Sequence, residues 1–146
     1  MLMNLKQMLE VAEEHDFTVG AYNVTESSMF RAVTETAERL HAPAVIAAAT
    51  NEFAFAGSEF YTYVVKRLSG SDNPFVLHLD HAHTFQECVQ AVQAGFTSVM
   101  IDGSLLPYEE NVELLSLIHI FWGPRPPPTL AINMPCLRRS MAPRLT

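Results

Sequence analysis

Cysteine is scarce in this sequence and long apolar runs are missing, and both absences exclude classes of protein. The 146 residues include two cysteines, Cys88 and Cys136, and these do not form a C-x-x-C pair. We therefore expect a reducing, cytoplasmic setting without a disulfide framework. No apolar run reaches the roughly 18 residues that a membrane span requires. Acids at Glu10, Glu13 and Glu14 argue against a secretory signal.

Positive charge is also in short supply. The formal net charge is -7, with 9 Lys and Arg against 16 Asp and Glu. This balance argues against nucleic acid or an anionic membrane as the main partner. A hydrophobic fraction of 49% is typical of a chain that forms a packed core, and the length suits one ordinary domain.

Acids are absent after Glu113, and this absence divides the chain. Residues 121–146 contain four arginines and six of the nine prolines, with neither helical nor strand periodicity. We expect a domain at 1–113 and an irregular tail at 114–146. The tail could be a polyproline ligand, but we favour non-native sequence, because "LSLIHI" matches the in-frame translation of a sequencing-library adapter. His119 within that segment is then not a ligand.

From the first residue to Glu113, helical and strand patterns alternate. "FTVGAYNV", "AVIAAA", "FVLHLD" and "TSVMID" have the composition of strands, and amphipathic segments separate them. This order predicts an α/β fold with a parallel sheet and right-handed crossovers.

Two of the intervening helices carry specific expectations. A helix after the first strand should begin with a cap at Thr25 or Ser27. A further helix should span residues 58–68. The first of these should bury a face formed by Met29, Ala32, Val33, Thr36, Ala37 and Leu40.

Polar residues stand where each predicted strand ends. They are Asn23, then Thr50 and Asn51, then Asp80 and His81, then Asp102. Each alone could be a turn residue, but functional groups in parallel α/β folds lie at the carboxyl ends of strands. Together they predict a site at one edge of the sheet.

The third strand ends in a concentrated group of ionisable residues, His78, Asp80, His81 and His83. Neutral imidazole is a good ligand for Zn²⁺, and a carboxylate can act as a general acid or base. Neighbouring strand residues point to opposite faces, so Asp80 and His81 can share a pocket only if the strand ends between them. His78 could merely orient Asp80, and His83 could be a solvated loop residue.

The block "HLDHAHTFQECVQAVQAGFTSVMIDGSLLPYEENV" resembles the class II, metal-dependent ketose-bisphosphate aldolases. "LKQML", "AYNV" and "HAPAVI" resemble the opening of the same family, so the resemblance covers roughly residues 1–113. It implies a (β/α)8 barrel of the TIM type, of which this chain offers about four β/α units. The intact family is expected to be homo-oligomeric.

The resemblance also implies roles for individual residues. Asp80 resembles the catalytic acid/base that moves the proton of the C4 hydroxyl. His81 resembles one of three histidines that hold a catalytic Zn²⁺, and Asp102 resembles a ligand of a second cation. Asn23 lies where the family keeps an Asn near the substrate.

The implied reaction is cleavage of a ketose 1,6-bisphosphate to dihydroxyacetone phosphate and an aldehyde. The zinc ion acts as a Lewis acid and stabilises the enediolate. One departure concerns phosphate binding, because Ala49 stands where family members carry Ser or Thr. The other zinc histidines are not found in 114–146, so we expect a truncated and inactive fragment.

Two alternatives belong to other classes. The H-x-D-H-x-H cluster superficially resembles the motif of metal-dependent hydrolases, although the order is reversed. A non-catalytic α/β binding module is the second alternative.

Overall fold

The computed structural model describes residues 1–122 and 129–132 of the chain. In chain order its elements are α1 (Leu5–Glu14), β1 (Gly20–Asn23), α2 (Ser27–Leu40), β2 (Ala44–Ala49), α3 (Thr50–Ser69), β3 (Phe75–Ala82), α4 (Phe85–Gln93), β4 (Ser98–Ile101), α5 (Tyr108–Trp122) and β5 (Thr129–Ile132). Within this described part, no helix is both long and apolar enough to cross a bilayer.

The strands form one parallel sheet in the order β1-β2-β3-β4-β5. The predicted α/β class and parallel arrangement are therefore confirmed. Register places Asn23, Ala47, His78 and Ser98 side by side in one row across the first four strands. Residues that are partners in a parallel register share a face of the sheet, so this row lies on a single face.

The two faces of the sheet are covered by different helices. Phe75, Leu77 and Leu79 of β3 are buried in one apolar cluster with side chains of α2, α3 and α4. Val76, on the opposite face of the same strand, packs with Met8 of α1. We call the face covered by α1 the inner face. His78 and Asp80 follow Val76 at alternate positions, so they lie on this inner face as well.

Helix α2 buries only part of the face that its sequence predicted. Phe30, Thr34 and Ala37 are buried, whereas Met29 is 40% and Leu40 65% exposed. Ala37 belongs to both the predicted and the observed face, so the buried face is rotated from the predicted one towards Phe30 and Thr34. Thr34 tolerates burial because its hydroxyl donates to the Phe30 carbonyl oxygen at 2.8 Å.

The predicted start of α2 was wrong, and the helical residues before residue 58 were missed. Helix α2 is preceded by Glu26, which makes no capping bond with its side chain, so neither Thr25 nor Ser27 is the cap. Helix α3 runs from Thr50 to Ser69 but is interrupted at Gly57, whose φ of 78° is not helical, so the helix predicted at 58–68 is confirmed as its second part. Glycine adopts this left-handed backbone without a steric penalty. The sequence pattern revealed only the part of α3 that follows the bend.

The predicted boundary at residue 113 falls inside α5, which continues to Trp122. Residues 129–132 form β5 and pair in parallel with β4. The expectation of an irregular tail at 114–146 is therefore wrong for residues 114–122, which belong to α5, and for this strand. The rest of that prediction concerns residues 123–128 and 133–146, which lie outside the described part of the chain.

An ion pair joins α2 to α3 at the amino-terminal end of the sheet. Two nitrogens of Arg67 donate to the two carboxylate oxygens of Glu38 at 2.8 and 2.7 Å. The Ser71 hydroxyl donates to the same carboxylate at 2.6 Å. These hydrogen bonds from Arg67 and Ser71 lower the pKa of Glu38 to about 2.

We expect Glu38→Gln to lower the free energy of unfolding by about 1 kcal/mol at pH 7, since the pair is partly exposed to solvent. The folded-state pKa lies below the ordinary value of 4.5. The Glu38 contribution is therefore complete above about pH 4.5 and is lost as the pH falls towards 2. Urea unfolding of both proteins at several pH values measures the difference.

Glu10→Gln is the matched control, because the Glu10 side chain is 61% exposed and pairs with Lys6 at 3.6 Å. This substitution should have the smaller effect. An equal loss for both variants at pH 7, or a Glu38 effect that does not shrink towards pH 2, contradicts the prediction.

Candidate active site

The end of β3 carries a β-bulge. The register with β4 pairs Leu79 with Val99 and then Ala82 with Ile101. Asp80 and His81 together therefore face a single residue of β4. His81 has a φ of 54°, in the left-handed region that non-glycine residues rarely adopt. A bulge of this kind redirects a side chain next to a functional site.

The bulge brings the side chains of Asp80 and His81 close together. His81 Nε2 lies 3.7 Å from Asp80 Oδ1, although neighbours in a regular strand point to opposite faces. The expectation that the strand ends between them is wrong, because β3 continues to Ala82. The left-handed backbone of His81 achieves the same result within the strand.

Asp102 follows β4 and contacts the other side of the His81 ring. His81 Nδ1 donates to Asp102 Oδ2 at 2.6 Å, and the Ser104 backbone N–H donates to Asp102 Oδ1 at 2.9 Å. Hydrogen bonds from Ser104 and His81 lower the pKa of Asp102 to about 2. In turn, the Asp102 carboxylate raises the pKa of His81.

Asp80, His81 and Asp102 thus converge at the carboxyl end of the sheet, as the strand order predicted. A carboxylate on Nδ1 fixes the tautomer and orientation of the ring, so Nε2 is available to a metal ion or substrate. Nε2 is also the nitrogen that faces Asp80.

The other two histidines of the cluster make different contacts. His78 is buried on the inner face, where its Nδ1 is 2.8 Å from Ser98 Oγ, and burial lowers its pKa. His83 is exposed and lines a cavity of about 210 Å³ with Asp102, Leu105 and Leu106. Among the described residues, no group of three or more His, Cys, Asp or Glu could hold a metal ion.

Asn23 ends β1 with an exposed side chain, on the same edge of the sheet but two strands from β3. In the register of the sheet Asn23 is level with His78, which precedes Asp80 by two residues along β3. Thr50 and Asn51 form the first turn of α3. Sequence reasoning missed Ser98 and Ser104, and a serine within the apolar strand "SVMI" was the available signal for Ser98.

Comparison with known proteins identifies the family. The family model described as "Fructose-bisphosphate aldolase class-II" matches residues 3–118. The chain belongs to the class II fructose-bisphosphate aldolase family. A fructose-bisphosphate aldolase of Staphylococcus epidermidis is 38% identical over 123 residues, which cover 80% of this chain and 42% of that protein. A 6-phospho-5-dehydro-2-deoxy-D-gluconate aldolase of Bacillus licheniformis is 34% identical over 128 residues, 84% of this chain and 44% of that protein.

A solved structure supports the same fold. The YdjI aldolase from Escherichia coli K12 superposes with a TM-score of 0.78 at 25% identity, covering 85% of this chain and 47% of that chain. The described α/β sheet therefore corresponds to part of the barrel of class II aldolases. This chain spans less than half the length of these relatives.

Glycine and alanine at position 81 test the left-handed backbone. Both substitutions remove the imidazole, but only alanine keeps a Cβ, which costs about 1–2 kcal/mol at positive φ. We therefore expect His81→Gly to be the more stable variant, by about 1 kcal/mol. Urea unfolding measures the difference.

His83 is the matched control, because it lies two residues later and is not among the non-glycine residues with positive φ. At an ordinary φ alanine is more stable than glycine because it restricts the unfolded chain, so His83→Ala should be more stable than His83→Gly. If alanine is also preferred at position 81, the backbone of β3 does not have the described conformation.

Proposed function

We propose that this chain carries the acid/base part of a class II aldolase site that acts on a ketose 1,6-bisphosphate. One observation supports this best. The Asp80 carboxylate lies 3.7 Å from His81 Nε2, while Asp102 holds His81 Nδ1 at 2.6 Å. Asp80, the general acid/base, accepts the proton of the C4 hydroxyl as the carbon–carbon bond breaks. The products are dihydroxyacetone phosphate and an aldehyde.

His81 is the proposed zinc ligand, through Nε2. Bound Zn²⁺ supplies a Lewis acid that polarises the ketose carbonyl. A catalytic zinc site requires about three protein ligands, and the described residues do not assemble such a set. The zinc site is thus incomplete in this part of the chain. We infer that the 146-residue chain alone is not an efficient aldolase.

Asp102 has two proposed roles, of which the geometry favours one. Its hydrogen bond to His81 Nδ1 is the arrangement by which a carboxylate supports a metal-binding histidine. The family resemblance alone suggested a ligand of a second cation. We propose the supporting role, and Asn23 is proposed as a substrate contact at the same carboxyl end of the sheet, on β1.

The hydrolase alternative receives no support from the site. A metal site built from the H-x-D-H-x-H cluster requires its histidines to converge. His78 instead contacts Ser98 on the buried inner face, and His83 is exposed beside Leu105 and Leu106.

Aldolase activity can be tested by completing the chain. The chimera joins residues 3–118 to the remaining portion of the Staphylococcus epidermidis relative, since this chain matches only 42% of that protein. We expect the chimera to cleave fructose 1,6-bisphosphate with added Zn²⁺, and Asp80→Asn to lower kcat about 100-fold or more. The 146-residue chain alone should show little turnover.

His83→Asn in the same chimera is the control and should retain most of the rate. A folded chimera in which Asp80→Asn keeps the full rate refutes the role of Asp80. Equal rates for the chain alone and the chimera refute the proposed inactivity.

Zinc binding distinguishes the two roles of Asp102. By calorimetry, the chain should bind Zn²⁺ more weakly than structural zinc sites, which reach about 10–16 kcal/mol. His81→Ala should abolish the binding and His83→Ala should leave it unchanged. Loss of a supporting carboxylate costs about 10- to 100-fold in metal affinity, so Asp102→Asn should weaken binding by that factor. A variant that instead loses one of two bound ions supports the second-cation role.

A further inference from the structure

An apolar surface lies beside β1, at one edge of the sheet. Within the described part of the chain, β1 pairs only with β2, and Tyr22 is 48% exposed. A cavity of about 270 Å³ lies between β1 and α2, and its lining includes Tyr22, Val33 and Leu40. The uncharged side chains of this surface, which we call the edge patch, are Tyr22, Met29, Val33, Thr36 and Leu40.

The edge patch occupies the flank of α2 that faces away from α3. On the opposite flank Glu38 bonds to Arg67 of α3, while Phe30 is buried between the two flanks. At 3.6 residues per turn, the four α2 residues of the patch point roughly half a turn away from Glu38. Met29 and Leu40 are exposed on this flank. Because the patch contains no charge, an uncharged surface is the partner that fits it.

The backbone of β1 is also free on this side. The Val24 N–H donates to the Ala47 carbonyl oxygen of β2 at 2.9 Å. Successive residues of a strand direct their backbone groups to opposite sides, so Ala21 and Asn23 direct theirs away from β2. Free N–H and C=O groups at a sheet edge are a template for another strand, and "GAYN" carries neither the charge nor the proline that protects many such edges.

A second copy of the chain fits this edge under two-fold symmetry. An axis through Tyr22, perpendicular to the sheet, sets β1 antiparallel to β1 of the partner copy. Ala21 of each copy then lies opposite Asn23 of the other, and such a pair exchanges two N–H···O bonds. The outward backbone groups of both residues are satisfied in this register.

The same rotation brings the two α2 helices together. Tyr22 and Thr36 line one cavity, so an axis through Tyr22 passes close to the middle of α2. The two helices run antiparallel, which places Leu40 of one copy near Val33 of its partner. The patch is therefore complementary to itself, as a two-fold interface requires.

We propose that β1 and the edge patch form a two-fold interface between two copies of this chain and join their sheets into one. A closed barrel has no strand edge, so this interface differs from any contact of an intact aldolase barrel. The joined sheets run in opposite directions, so the two candidate sites lie at opposite ends and both remain open. The proposal is thus independent of the proposed aldolase reaction.

The size of the edge sets the expected strength of association. Helix α2 is about 21 Å long, and helix and sheet together present an edge about 20 Å deep, an outline of roughly 400 Å². Weak complexes bury less than about 1,200 Å² in total. We therefore expect a dimer with a dissociation constant of roughly 1–100 μM.

Sedimentation equilibrium of the 146-residue chain tests this, across concentrations on both sides of the expected constant. The wild type should shift from one-chain to two-chain mass. Leu40→Arg places a charge in the interface and should raise the dissociation constant about tenfold or more. Leu117→Arg is the matched control, because Leu117 is 50% exposed on α5 at the other end of the helical layer. It should change nothing.

Ala21→Pro tests the pairing of the strands. Proline removes the N–H that Ala21 directs away from β2, and a proline on that side of an edge strand leaves the pairing with β2 intact. Association should again weaken about tenfold or more, because a bond is lost on each side of the axis. Circular dichroism checks that each variant is folded.

The results separate this interface from other arrangements. A chain that stays monomeric at the highest concentration overturns the proposal, including the case in which another part of the same chain covers Leu40. Association that Leu117→Arg abolishes and Leu40→Arg leaves intact also overturns it, because such a dimer uses the other edge of the sheet. Should Ala21→Pro not fold, the wild-type masses and the two arginine variants decide.

Discussion

The left-handed backbone of His81 is the constraint on which the candidate site depends. In a regular strand Asp80 and His81 would lie on opposite faces of the sheet, one above α1 and the other among the outer helices. The bulge opposite β4 turns both side chains to the same side, so that His81 Nε2 lies 3.7 Å from Asp80 Oδ1. A non-glycine residue at positive φ costs free energy, and the hydrogen bond from His81 to Asp102 at 2.6 Å helps to offset it. Backbone strain and site geometry are thus parts of one arrangement.

The part of β3 that precedes Asp80 is held in place by contacts on both faces of the sheet. On the outer face, Phe75, Leu77 and Leu79 anchor β3 under three helices. On the inner face, Val76 packs on Met8 of α1, and His78 pairs with Ser98. Polarity on the inner face therefore increases along β3, from an apolar contact through a buried polar pair to the ionisable residues at the rim. A rigid strand with this gradient can present charge at its end while its base remains in the core.

Membership of the class II aldolase family is consistent with a strand that is apolar at its base and carries ionisable residues at its carboxyl end. The matched residues 3–118 include the strand that carries Asp80 and His81 and the strand that precedes Asp102. The relatives are more than twice as long as the matched portion. The described sheet therefore corresponds to part of a barrel. The proposed site is likewise only part of an aldolase site, since an acid/base group and one imidazole are not a complete zinc site.

The alternation of strands and helices, the parallel sheet and the convergence of Asp80, His81 and Asp102 could all be predicted from the sequence, because they depend on local periodicity and on the rule that strand ends carry function. Other features depended on contacts between distant residues. Thr34 is buried because a backbone carbonyl accepts its hydroxyl, α3 starts early because Gly57 permits a bend, and β5 forms because β4 offers an edge. The relation between Asp80 and His81 also belongs to this group. The strand pattern of the sequence predicts that adjacent side chains point to opposite faces of the sheet. Only the bulge in the pairing of β3 with β4 turns the side chains of Asp80 and His81 to one site.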